Sequence, residues 1–309
     1  MRMVLSIRHM SLLIAAFLWG CAILWSAETE NTTPVDRTEE IKNMTPEQLT
    51  EAAEAGDAEA MFYLGRMYDS GDKLNQDWTK AREWYEKAAE AGNADAMNNL
   101  GVMYHHGEGV QKDYVKTKEL YEGAAEAGIV LAMFNLGGMY AEGEGVEQDW
   151  NKAREWYEKA AEAGIVEAMY NLGVIYHHSE GVEQDYEKAR EWWEKAAEAG
   201  DDDAMFSLGV IYANGYGVLK DNVKAIEWWE KGTDAGNTKA MNALGAMYAK
   251  GEGVAQDWDK AREWYIKAAK AGDEEAGRLL IDMFLIDMCR YCGGYMTGLI
   301  FKRCEDCKR

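Results

Sequence analysis

The chain has 309 residues, 48% of them hydrophobic and only two of them proline, so it holds ample apolar material for a folded body and does not read as a disordered chain. With 33 basic against 55 acidic residues its formal charge is −22, which argues against a phosphate-tracking surface for nucleic acid or anionic lipid. A neutral or basic polypeptide is the electrostatically natural partner.

Residues 1–27 stand apart. Arg2 and Arg8 precede an apolar run from Met10 to Trp25, and Ser26-Ala27 leads into Glu28-Thr29-Glu30, the order of a secretory signal peptide. The same residues also fit an uncleaved N-terminal anchor, or a lipoprotein signal at Leu18-Trp19-Gly20-Cys21, to which Trp19 is a poor match. In each case positive charge before the segment and acid after it place the body outside the cytoplasm, periplasmic or secreted, with the membrane touched only through this segment. Residues 28–43 are polar and read as a disordered linker. Thr45-Pro46-Glu47-Gln48 is a capping box with Pro at the first helical position, opening an N-terminal capping helix within 44–56.

A period then takes over. Glycines at 56, 92, 128, 164, 200, 236 and 272, each preceded by Ala, and Leu-Gly pairs from 64/65 to 244/245 recur without an insertion, which defines six units across 57–272. In the first, Ala60, Met61, Leu64, Gly65 and Tyr68 mark one face of a helix A, and Ala81, Trp84, Tyr85 and Ala88 one face of a helix B. Asp77, Asp113, Asp149, Asp185, Asp221 and Asp257 are placed to cap helix B. Asp57, Asn93, Asp201, Asn237 and Asp273 are placed to cap helix A, whereas Ile129 and Ile165 carry no capping oxygen. The turn between the helices carries two glycines, with Lys73 and Ser179 as departures.

Gly65 and its five equivalents fall mid-helix, each at a cost of about 1 kcal/mol against Ala. Such a cost implies that a Trp or Tyr from a neighbouring helix packs on the bare backbone. On the outer face of helix B, Glu83-Lys87, Glu155-Lys159, Glu191-Lys195, Glu227-Lys231 and Glu263-Lys267 have i,i+4 spacing for ion pairs.

The string Ala-x-x-x-Leu-Gly-x-x-Tyr, the Gly-x-Gly-Val turn, Asp-x-x-Lys-Ala and Trp-Tyr-x-x-Ala-Ala-x-x-Gly resembles the Sel-1-like repeat family, relatives of tetratricopeptide repeats, over the whole of 57–272. The resemblance implies an all-α, right-handed superhelix of helix pairs with helix A on the concave side, serving as a non-enzymatic protein-interaction adaptor. Some cysteine-rich members are linked to penicillin binding or β-lactamase activity, which keeps a cell-wall or β-lactam hydrolase as the alternative. Ser70-Gly-Asp-Lys73 satisfies Ser-x-x-Lys, but no Ser-Asp-Asn or Lys-Thr-Gly accompanies it, and these six repeats contain no Cys.

Removing the repeating core positions from helix A leaves a variable stripe, which is the candidate partner-binding surface. It contains Phe62 and Tyr63, Asn98 and Asn99, Phe134 and Asn135, Tyr170 and Asn171, Phe206, and Asn242. Amides both donate and accept, so such a row suits the backbone of an extended peptide while rings grip its side chains. His105-His106 and His177-His178 share one end of helix A; a metal reading is outweighed by the macrodipole, since no carboxylate stands in register.

After Gly272, residues 273–288 read as a C-terminal capping helix. Residues 289–309 form a tail in which Cys289, Cys292, Cys304 and Cys307 make two CxxC knuckles eleven residues apart, matching either one structural zinc or two disulfides. The repeats themselves require no cofactor.

Overall fold

A computed structural model describes residues 37–181 and 183–291, and every regular element among them is an α-helix. The chain divides into two compact units, Met1–Ala96 and Met97–Arg309. The first contains α1 (Arg37–Lys42), α2 (Pro46–Glu54), α3 (Ala58–Ser70), α4 (Trp78–Glu90) and the start of α5 (Ala94–His106). The second continues with α6 (Tyr114–Glu126), α7 (Val130–Glu142), α8 (Trp150–Glu162), α9 (Val166–His178), α10 (Tyr186–Glu198), α11 (Asp202–Asn214), α12 (Asn222–Asp234), α13 (Thr238–Lys250), α14 (Trp258–Lys270) and α15 (Glu274–Tyr291).

In the first unit, Thr45 closes the expected capping box: its Oγ1 accepts from the Gln48 N–H at 3.3 Å, and Gln48 Oε1 accepts from the Thr45 N–H at 2.9 Å. Helix α1 lies inside the stretch expected to be disordered. The reason is Ile41, which is fully buried in one cluster with Leu49, Ala53, Ala60, Leu64 and Met67. That apolar contact offsets the entropy of ordering a short polar helix.

In the second unit each helix from α6 to α15 packs against its neighbours in chain order, the arrangement of an α/α solenoid. The boundaries follow from local chemistry. Asp113, Asp149, Asp185, Asp221 and Asp257 each accept backbone N–H bonds at the start of α6, α8, α10, α12 and α14, as Asp77 does for α4 in the first unit. Asp201 and Asn237 cap α11 and α13, while Ile129 and Ile165 leave α7 and α9 without a side-chain cap, as the sequence indicates. Lys73 and Ser179, the two departures from the turn glycines, are the only non-glycine residues with positive φ among those described, both at 62°.

The mid-helix glycines are occupied as expected. A Cβ on Gly65, Gly101, Gly137, Gly173, Gly209 or Gly245 would collide with the ring of Tyr85, Tyr121, Tyr157, Trp193, Trp229 or Tyr265, respectively. Each ring comes from helix B of the same repeat, so the missing side chain fixes how closely the two helices approach. The indoles add a polar tie: Trp193 and Trp229 donate through Nε1 to the carbonyls of Tyr170 and Phe206, each at 3.1 Å.

The outer face of helix B differs from expectation. The Lys87, Lys159, Lys195, Lys231 and Lys267 ammonium groups lie 3.8 to 4.0 Å from the ring centroids of Trp84, Trp156, Trp192, Trp228 and Trp264. The i,i+4 ion pairs that form on helix B join other positions: Arg82–Glu86, Lys118–Glu122, Arg154–Glu158 and Arg190–Glu194. A ring three residues before the lysine offers a partly desolvated partner, and exposed carboxylates compete poorly with it.

Helix α15 starts with the Asp273 carboxylate accepting from the Ala276 N–H at 2.8 Å and runs past 288, so Cys289 lies on the helix. Cys292, Cys304 and Cys307 lie outside the described residues, as does the N-terminal signal-like segment. No helix among the described residues is long and apolar enough to cross a membrane.

Candidate polypeptide-binding surface

Helix A positions its variable stripe through the buried face opposite it. Leu64, Leu100, Leu136, Leu172, Leu208 and Leu244 are all at most 4% exposed, and the stripe residues two positions before them flank that core. The stripe is more deeply seated than its sequence suggests. In the first unit Phe62 is buried, with its ring centroid 6.0 Å from that of Tyr85 and 5.4 Å from that of half-buried Tyr63. The Arg66 guanidinium stands 5.8 and 5.5 Å from those two rings.

In the second unit Asn98 is also buried, whereas Asn99, Phe134, Asn135, Tyr170, Asn171, Phe206 and Asn242 are half-buried. Phe134 leans on Tyr157 at 5.6 Å and Tyr170 on Trp193 at 6.3 Å, so these rings are walls braced by helix B. The amides partly serve each other: Asn135 Nδ2 donates to Asn98 Oδ1 at 3.3 Å, and Asn98 Nδ2 to Asn99 Oδ1 at 3.2 Å. That ladder joins the second repeat to the third.

Phe134, Asn135 and Asn171 also line a cavity of about 270 Å³ that sequence reading missed. His105 and His106 at the end of α5, Tyr121, Gly138, Met139, Glu142, Glu144 and Tyr157 complete most of its wall. The His105-His106 pair is not without a carboxylate, contrary to expectation. The turn of the third repeat brings Glu144 onto His105, with Nε2 and Oε2 2.5 Å apart, so a carboxylate does meet one imidazole, from 39 residues away. Among the described residues, however, no group of three or more His, Cys, Asp or Glu side chains is placed to hold a metal ion. Burial, opposed by a hydrogen bond with Asn171 and reinforced by Glu142, pushes the Tyr157 phenol up to about 12. Burial, with Glu144 adding to it, raises that of Tyr121 as well. Both phenols therefore stay neutral and able to donate.

Ser70 is not set up as a nucleophile. It is exposed, its hydroxyl donates to the Arg66 carbonyl at 2.9 Å, and it accepts from the Asp72 N–H at 3.2 Å, the pattern of a helix-end serine.

Six consecutive matches to the family model described as Sel1 repeat fall on residues 58–93, 94–129, 130–165, 166–201, 202–237 and 238–273. The chain belongs to the Sel1 repeat family. A Sel1 repeat protein from Oxalobacter formigenes is 36% identical, with a TM-score of 0.61, over 73% of this chain and 99% of its own. The crystal structure of c5321, a protective antigen of uropathogenic Escherichia coli strains displaying an SLR fold, is 34% identical with a TM-score of 0.74, over 85% of this chain. This Sel1 repeat chain spans only 55% of the length of that antigen. Among curated proteins there is no match. Proteins of the Sel1 repeat family generally mediate protein–protein interaction.

Proposed function

We propose that this Sel1 repeat protein is a non-enzymatic scaffold acting outside the cytoplasm, which binds an extended polypeptide, neutral or basic, along the first helices of its repeats. The observation that carries the reading is the row of half-buried rings and amides in the second unit, where Phe134, Asn135, Tyr170, Asn171, Phe206 and Asn242 recur at the repeat spacing. Rings braced from behind lose little freedom when they grip a ligand, and the neighbouring amides suit peptide backbone. The excess of acid supports a partner that is not acidic, and the signal-like segment at 1–27 supports export. A zinc or a pair of disulfides at Cys289, Cys292, Cys304 and Cys307 would serve as a structural clip rather than a reactive site.

Photo-crosslinking tests the surface. A photoreactive amino acid placed at 99, 171 or 242 on the first helices is expected to capture the same polypeptide from the native host, while one at 155 or 191, exposed on the second helices, captures none of it. Equal adducts from both faces would overturn the assignment. Recovery of the mature chain from cytosol alone would overturn the location.

A further inference from the structure

The third repeat departs from the others at two positions that open onto one cavity. At the position occupied by Arg66, Val102, Val174, Val210 and Ala246 elsewhere, it has Gly138. Unlike Gly137, this glycine is not required by packing, because a Cβ there would meet only the Tyr157 hydroxyl, at 3.8 Å. A mid-helix glycine without a packing role gives up about 1 kcal/mol of helix stability, and what it leaves behind is open floor in the cavity. One turn further on, where the other repeats carry Ser70, His106, His178, Asn214 or Lys250, the third repeat has Glu142. Residues four apart share one helix face, so the bare floor and the carboxylate belong to the same opening.

The walls decide what fits. The rings of Phe134 and Tyr157 form an apolar side, and the carboxylates of Glu142 and Glu144 stand at the same cavity. Glu142 is exposed and has no cationic partner among the described residues, whereas Glu144 is held by His105, whose ring packs edge-on to Tyr114 at 5.4 Å. An anion would meet two negative groups here. A purely apolar ligand would cover them without pairing them. A long cationic side chain satisfies both parts of the wall, since its methylene stem lies along the rings and its head reaches the carboxylates.

We infer that the cavity over Gly138 is a socket for a lysine or arginine side chain of the bound polypeptide, with Glu142 and Glu144 as its counter-charges and His105 as the residue that positions Glu144. This rests on the scaffold reading above and names the feature of the partner that the surface selects.

The probe is a single amino-acid derivative, so the outcome does not depend on finding the partner. Methyl NMR signals of Val102 and Met139, which line the cavity, are followed during titration with Nα-acetyl-arginine amide, Nα-acetyl-lysine amide and the neutral Nα-acetyl-citrulline amide. A saturable shift is expected with the arginine or the lysine derivative, and binding weaker by about tenfold with citrulline, the loss of one charge-assisted contact. Gly138→Val, which installs the side chain found in three other repeats, is expected to abolish the shift while unfolding at the same temperature or higher. Glu142→Gln, at an exposed position that folding does not use, is expected to weaken binding by about tenfold. The absence of a saturable shift, equal response to citrulline, or unchanged binding by both variants would overturn the socket. Loss of the socket with crosslinks from 171 retained would remove this inference alone and leave the binding surface standing.

Discussion

Tyr157 packs on the backbone of Gly137 so closely that a Cβ added there would stand 2.6 Å from both Cδ1 and Cε1 of the ring. The next residue, Gly138, would place its Cβ in ordinary contact with the same tyrosine. Two adjacent glycines in one helix therefore predict opposite signs. Gly137→Ala is expected to destabilise by about 1–3 kcal/mol, because overpacking outweighs the helix propensity gained. Gly138→Ala is expected to stabilise by about 1 kcal/mol. Urea unfolding of the two variants checks this, and equal signs would refute it.

Ser179 ends α9 at a φ of 62°, and Lys73 holds the same left-handed geometry in the turn after α3. A Cβ in that region costs about 1–2 kcal/mol, which glycine avoids. Ser179→Gly and Lys73→Gly are each expected to raise stability by about 1 kcal/mol after the added entropy of glycine is subtracted. A lower melting temperature for both would show that the side chains contribute more than the strain removes.

Asp149 accepts from the Asn151 and Lys152 N–H groups at 3.1 Å each at the start of α8. Asp149→Ala is expected to cost about 1 kcal/mol, with Asp149→Asn recovering most of it because the amide oxygen can still accept. If Asn fails to rescue, the carboxylate contributes through charge rather than through the cap bond.

His177 is the equivalent of His105 two repeats on, but it meets Tyr216 where His105 meets Glu144. The rings of Tyr186, Trp193 and Tyr216 lie 5.3 to 5.5 Å from it, and its Nδ1 is buried without a hydrogen-bond partner among the described residues. Burial, then the neighbouring His178, pushes the imidazole below its ordinary value of 6.5. The folded state thus binds fewer protons than the unfolded state between those two values. Stability from this site is complete above the unfolded value and falls as pH drops from there towards the folded one. Melting followed from about pH 7 to pH 5 should decline less steeply in His177→Phe than in the parent chain. Identical slopes would assign the acid sensitivity to other groups.

Much of this fold is legible in the chain because its signals are local. The spacing of 36, the aspartates that cap each second helix, the uncapped entries at Ile129 and Ile165 and the two turns in which Lys73 or Ser179 replaces one of the two glycines all concern groups within a few residues of each other. The glycine opposite each tyrosine or tryptophan is also readable, since its cost repeats six times and demands a bulky neighbour. The candidate surface was readable only as a stripe. That Asn98 is buried, that Phe134 is braced by Tyr157, and that lysines on the outer face choose tryptophan over glutamate follow from how side chains share space. Gly138 and Glu142 are the signal of the cavity that the sequence does carry, since both differ from the residues at the equivalent positions of the other five repeats.

By itself, then, the sequence determined the repeat, its helix ends and the close approach of its helix pairs, because capping, left-handed backbone and helical periodicity act over a turn or two of chain. Only the tertiary structure decided that Glu144 reaches His105 and that residues of three successive repeats, His105, Gly138 and Asn171 among them, enclose one cavity. Positions 39 residues apart become neighbours only when helix pairs stack, and the offset of that stacking is set by the packing of whole faces, which no short stretch of residues specifies.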